Sequence, residues 1–452
     1  MSEASATAAR ITLAGRIPAS QAVADAFQVV PRHAFLPEFS EADAYEDTAV
    51  VVKSDADGLP VSAATQPAMM AVMLDQLGLA PGQRVLEIGS GTGFNAALLA
   101  VLVGRGECVV TVEVDAGVAD RARVALAIAG YPKITVIAGD GALGARDHAP
   151  FDRIIVTAGA WDIPPAWLQQ LAPGGRIVLP LSVRGIQLSV GLARDGERWV
   201  SGSVHRCGFI RVTGPFGGPE MMLRLGPQPG LHAESVDGTP PEAGELYRAL
   251  SGPATEVPTG LRADGVARLA DLDLWLTITE PSLGRLNLLG RHEGRANPAQ
   301  RRIAGLMPLG GLVTAASPGP LGIATLAPPA DSGWGRLGPF EIVVRGYGPA
   351  GAGLAARLAE RSAAWHAQGR PDTSRLRITA SPAGVRTLPA GSRTSQAGAA
   401  TLSAGSRTCQ AGARTLSAGV RTLPAAATTS PANAGLVIDR PHVRLSVGWA
   451  DG

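Results

Sequence analysis

Val85-Leu86-Glu87-Ile88-Gly89-Ser90-Gly91-Thr92-Gly93-Phe94-Asn95 decides the fold. An apolar run carries an acid near its end, three glycines follow at alternate positions, and a helix-forming stretch begins. The order reads as strand, tight turn and helix start. Glycines there let backbone N–H groups approach a ligand with no Cβ in the way. The helix N-terminus adds partial positive charge suited to a carboxylate or phosphate. The spacing is G-x-G-x-G, distinct from the dinucleotide G-x-G-x-x-G, and no G-K-[ST] of a phosphate loop follows.

Downstream, the same alternation continues. Gly106 to Glu113 reads as a second strand ending in an acid, and an acid at this offset in a doubly wound sheet accepts from ribose hydroxyls. Glu113 fits that role, with Asp115 as the neighbouring alternative. Ala119 to Ala129 reads as a helix closed by Gly130. Ile134 to Ile137 is a third strand, followed by Gly139-Asp140-Gly141, where Asp140 is placed to accept from an adenine amino group or to serve simply as a loop carboxylate. Phe151 to Val156 is a fourth strand, Pro164 to Leu171 a helix, and Arg176 to Pro180 a fifth strand after Pro173-Gly174-Gly175. Strands alternating with helices predict a parallel sheet with its ligand at the strand carboxyl ends.

These residues resemble the S-adenosylmethionine loop of class I methyltransferases. From about Val30 to Gly214 the chain is similar to the protein-L-isoaspartate O-methyltransferase family. The pieces that carry the resemblance come in order: Val30-Pro31-Arg32-His33-Ala34-Phe35-Leu36-Pro37, Ala44-Tyr45-Glu46-Asp47, Thr65-Gln66-Pro67, the glycine loop, Gly139-Asp140-Gly141, Ala149-Pro150-Phe151-Asp152 and the Pro-Gly-Gly turn. The resemblance implies a Rossmann-like doubly wound α/β sheet, completed by strands from about Ile186 to Val212. It also implies an S-adenosylmethionine-dependent carboxyl O-methyltransferase acting on aspartyl or isoaspartyl sites of a protein or peptide. It places the cofactor on Glu87, Gly89, Ser90, Gly91, Thr92, Gly93, Asn95, Glu113, Asp140 and Gly141. The family's usual serine is Thr65 here, with Ser62 three residues earlier, so these two are the catalytic candidates. Thr65 also suits a helix N-cap before Pro67. Similar enzymes that methylate Asp in ribosomally made peptides also carry Thr there, so peptide tailoring stands as an alternative to repair. A cofactor-free peptide-binding module and a small-molecule methyltransferase are two further readings.

At 452 residues the chain has room for two or three domains. Its net charge of +2 gives no reason to expect nucleic acid. No apolar signal region opens the chain and no run is long enough to span a membrane, so a cytoplasmic enzyme is expected. The three cysteines, Cys108, Cys207 and Cys409, form no metal spacing and no disulfide framework.

Residues 1–214 read as the methyltransferase domain and 220–452 as a smaller α+β domain that binds substrate or serves an accessory role. Within it, Asp271 to Ile278 and Phe340 to Tyr347 read as strands. Ala352 to Ala367 reads as an amphipathic helix with Leu354, Leu358 and Trp365 inward. Trp275, Trp334, Tyr347 and Trp365 are either core residues or a stacking surface for peptide. Residues 383–432 interrupt this domain with six gapless copies of a heptapeptide, such as Ala383-Gly384-Val385-Arg386-Thr387-Leu388-Pro389. Glycine in every copy and a single apolar seam position exclude a coiled coil, and a disordered insertion is expected. Gly435 to Trp449 returns to strand-like alternation and is expected to pair within the second domain.

Overall fold

The computed structural model describes residues 3–55, 60–218, 222–226, 231–235, 242–263, 266–280, 284–288, 311–313, 323–327, 340–383, 427–429 and 435–450. Residues 384–426 of the repeat segment, and Trp334, lie outside the described residues.

The centre is an eleven-stranded sheet. Five strands run parallel, in the spatial order Thr135–Ala138, Val109–Glu113, Val85–Ile88, Phe151–Val156 and Leu171–Val183. Ile186–Asp195 and Arg198–Cys207 then continue as an antiparallel meander. Successive residues of each parallel strand enter opposite cores. Leu86, Val110, Ile154 and Ile177 belong to one, and Val85, Val109, Ile155 and Val178 to the other. That two-sided burial explains why these strands read as continuous apolar runs. The second core is covered by the helices Glu3–Arg16, Gln21–Val29, Pro67–Leu77 and Phe94–Val103, through Leu13, Phe27, Leu74 and Leu98. Trp167, on the short helix Pro165–Gln169, anchors the other face. The two helix readings shift at their ends, to Ala116–Ile128 and Pro165–Gln169, and Leu171 already opens the fifth strand. Gly106–Cys108, read as the start of the second strand, is a 3-10 turn ahead of it.

The second half departs from its reading in one element. Asp271 to Ile278, read as a strand, lies in the helix Val266–Thr279. Leu274 and Ile278 of this helix enter the core of the main sheet, while Leu269, Leu272, Trp275 and Leu276 face a third core. A helix buried on two sides has no single apolar stripe to reveal its 3.6-residue period. Leu436–Asp439 and Val443–Trp449 pair with each other, and Val443–Trp449 pairs with Leu376–Pro382. Leu376–Pro382 in turn pairs with Arg198–Cys207. The closing segment therefore pairs with a strand of residues 220–452 and, through that strand, extends the main sheet.

Phe340–Tyr347 is a strand as read, set between Ala254–Ala263 and Ile323–Ala327. The helix Gly351–Ala367 buries Leu354, Leu358 and Trp365. Trp275 is 2% exposed, stacks on Trp449 at 5.7 Å between ring centroids and donates its indole N–H to the Arg361 carbonyl. With Tyr347 and Trp365 also buried, these aromatics are core, not a peptide-stacking surface.

Candidate active site

The carboxyl ends of the parallel strands open onto a cavity of about 740 Å³. Every site residue read from the sequence lines it except Gly93, which begins the helix Phe94–Val103 and packs against Leu126. Two glycines of the turn are required by geometry. Gly89 sits at φ +99°, and a Cβ there would come within 2.7 Å of Thr157 Oγ1, the hydroxyl that donates to the Gly89 carbonyl. Gly91 sits at φ +50°, in the left-handed region that side chains rarely adopt.

Glu87, Ser90 and Asn95 brace this turn from beneath. Glu87 is fully buried and accepts from Asn95 Nδ2 at 2.7 Å and Thr111 Oγ1 at 2.6 Å. Thr111 in turn meets the Ser90 hydroxyl at 2.7 Å. Desolvation pushes the Glu87 carboxyl up to about 7, against the hydrogen bonds from Thr111 and Asn95. Strand and helix start are thus tied by polar bonds that water does not reach.

Glu113 ends its strand beside the turn and accepts from the Gly91 N–H at 3.0 Å and the Asp115 N–H at 3.2 Å. Asp115, the alternative acid, is committed elsewhere: it caps the helix Ala116–Ile128 through the Val118 N–H and pairs with Lys53. Asp140 is exposed at the end of the next strand and accepts from the Ala142 N–H at 2.9 Å. The indole of Trp167 donates to the Gly141 carbonyl at 2.8 Å and fixes that loop.

The hairpin Val50–Ser54/Pro60–Ala64 lies over the glycine turn, its Ala63 carbonyl 3.7 Å from where a Gly91 Cβ would stand. It brings Ser62 and the following Thr65 to the cavity. The helix-cap reading of Thr65 is corrected here. Gln66 holds the cap position with no side-chain bond, and Asp47 supplies the capping acceptor to the Ala68 N–H at 2.8 Å. The Thr65 hydroxyl makes no hydrogen bond among the described residues, and its carbonyl accepts from Arg32.

Sequence reasoning missed three contributors. Arg32 is buried, donates to the carbonyls of Ala44 and Thr65, and packs over the Phe94 ring at 5.1 Å. Burial lowers its pKa to about 10, so it stays charged at neutrality. The second contributor is the wall from Cys207 to Phe216, which lines the same cavity as Thr65 and is held by Gly159 and Trp161 backbone groups: Gly159 N–H to Ile210 at 2.8 Å, Val212 N–H to Gly159 at 2.9 Å and Trp161 N–H to Phe216 at 2.7 Å. Its only sequence signal is the end of a strand run. Burial pushes the Cys207 thiol up, so it is no ready nucleophile. The third is Trp167. Among the described residues no cluster of three or more His, Cys, Asp or Glu forms a metal site.

Residues 10–216 match the family model described as protein-L-isoaspartate(D-aspartate) O-methyltransferase. A protein-L-isoaspartate O-methyltransferase of Methanoregula boonei is 39% identical over 207 residues, covering 46% of this chain and 91% of that protein. The protein of the same name from Roseiflexus sp. is 42% identical over 175 residues, covering 39% of this chain and 76% of its own. A solved protein-L-isoaspartate O-methyltransferase structure aligns over 82% of this chain and 96% of its own, at 22% identity and a TM-score of 0.45. Identity at this level across nearly all of a relative's length means that the chain belongs to the protein-L-isoaspartate O-methyltransferase family.

Proposed function

We propose that this chain transfers a methyl group from S-adenosylmethionine to the free α-carboxylate of isoaspartyl residues, and by extension to the side-chain carboxylate of aspartyl residues, in proteins or peptides. One observation carries the reading: the glycine turn, Glu113, Asp140 and the free hydroxyl of Thr65 line one cavity at the strand carboxyl ends. The site fits the cofactor. Gly89, Gly91 and Gly141 all line that cavity with no side chain of their own, and Gly91 has nothing nearer than the Ala63 carbonyl at 3.7 Å where a Cβ would stand. Glu113 would hold the ribose hydroxyls, Asp140 the adenine amino group, and the N–H groups of the turn the carboxylate. When bound, the cofactor supplies a sulfonium methyl that is already activated.

The protein's own task is alignment. A carboxylate is ionised at neutral pH and needs no general base. Thr65 donates to the substrate carboxylate, and the hairpin carrying Ser62 covers the turn and excludes water. Arg32 fixes the Thr65 backbone. The ester product has methanol as its leaving group. The next backbone nitrogen of the substrate attacks the ester carbonyl, methanol departs, and a succinimide remains with no further help from the enzyme.

The test is methyl transfer from labelled S-adenosylmethionine to a synthetic isoaspartyl peptide. Base-labile label on that peptide is expected. The reading is overturned if neither the isoaspartyl peptide nor its aspartyl twin is labelled by protein that binds S-adenosylhomocysteine.

A further inference from the structure

The turn between the two closing strands, residues 439–442, comes back to the methyltransferase half at the cavity's far wall. His442 meets Asp162, 280 residues away in sequence. Asp162 is 1% exposed. Its Oδ1 accepts from the Ile163 N–H at 2.9 Å, and its Oδ2 accepts from the His442 backbone N–H at 3.0 Å and meets His442 Nδ1 at 2.8 Å. A carboxylate only accepts, so Nδ1 carries the proton and the ring is locked in one orientation. That ring packs on Phe216 at 5.1 Å between centroids, tilted by 34°. Phe216 lines the cavity. Next to it, the Arg440 guanidinium lies 4.8 Å over the Trp161 ring and donates to the Ser182 carbonyl at 2.5 Å. The turn thus grips Trp161 and Asp162 and presses an oriented imidazole onto a residue of the substrate wall.

We propose that His442, held by Asp162, is a positioning residue for substrate: it sets Phe216 as an apolar contact for the peptide beside the reacting carboxylate. This rests on the methyltransferase reading above. Phe216 comes from the far wall, whereas the residues assigned to the cofactor lie on the glycine turn and the ends of the second and third strands. A change at His442 therefore acts on peptide binding and leaves the cofactor and the methyl transfer itself alone. It also gives the closing strands a part in the site, beyond extending the sheet.

The test uses the full chain, an isoaspartyl peptide of defined sequence, and S-adenosylhomocysteine as cofactor probe. His442→Ala is expected to raise KM for the peptide by about two- to tenfold, the range of one aromatic contact. Its kcat and its S-adenosylhomocysteine affinity should stay close to wild type. His442→Phe, which keeps a ring but loses the bond to Asp162, should fall between. In a Phe216→Ala background, His442→Ala should add nothing further. The proposal is overturned by an unchanged KM in His442→Ala, by additive effects in the double variant, or by a parallel loss of KM, kcat and cofactor affinity in protein with wild-type melting. If the wild-type chain itself does not methylate the peptide, the methyltransferase reading has failed instead, and that control separates the two.

Discussion

Arg32 donates through Nη2 to the carbonyl of Thr65 at 3.1 Å and through Nε to the carbonyl of Ala44 at 2.8 Å. One buried guanidinium thereby ties the start of the fold to the segment that presents the catalytic candidate. A lysine ammonium does not reproduce this fork. Arg32→Lys is expected to lower stability by about 1.5–3 kcal/mol, the usual loss for a hydrogen bond to a charged group. Urea unfolding measures it, and an unchanged midpoint would show that the two carbonyls find other donors.

The role proposed for Thr65 rests on its hydroxyl and not on its methyl. Thr65→Ser should stay active. Thr65→Val should lose roughly ten- to hundredfold in turnover, corresponding to about 1.5–3 kcal/mol. Binding of S-adenosylhomocysteine by calorimetry should not change. Full turnover in Thr65→Val would leave Arg32 holding only a piece of backbone.

Glu113 and Asp115 are separable by experiment. Glu113 faces the cavity, so Glu113→Ala should weaken S-adenosylhomocysteine binding by roughly tenfold or more. Asp115 caps a helix, so Asp115→Ala should cost about 1 kcal/mol of stability with affinity near wild type. The reverse pattern would exchange their roles.

Burial of Glu87 makes stability depend on pH. Its carboxyl titrates near 7 in the folded chain, against an ordinary value of 4.5. A raised folded pKa gives a contribution that is fully present below 4.5 and is lost as pH rises through 7. Glu87→Gln removes the titration, and the adjoining Asn95 has a buried Oδ1 without a partner that a glutamine amide can use. Melting temperature measured from pH 5 to 8 should therefore fall less with pH in Glu87→Gln than in wild type. Parallel curves would place the titration elsewhere.

Much of the cofactor side was legible because its signals are local. The run from Val85 to Asn95 holds strand, turn and helix start within eleven consecutive positions. Glu113 and Asp140 each follow a short apolar run at the expected offset. The supports around Thr65 and Phe216 were not legible, since they meet only through long-range packing. Nothing near Arg32 announces that it will reach Thr65, and nothing near His442 points to Asp162. The helix Val266–Thr279 failed for a different reason. Asp273 is buried and pairs with Arg206 and Arg285, so its polarity did not mark a solvent face.

The closing strands also carry a consequence for synthesis. Ser201 of the strand Arg198–Cys207 accepts from the Ile378 N–H, 177 residues later in the chain. Until that length has left the ribosome, the strand has one neighbour and presents an open edge. Such an edge is a template for pairing with other chains, and contacts of long sequence separation form slowly. A nascent chain stalled after Gly214 should therefore depend on chaperones more than one that has released Leu376–Pro382, the strand that covers this edge.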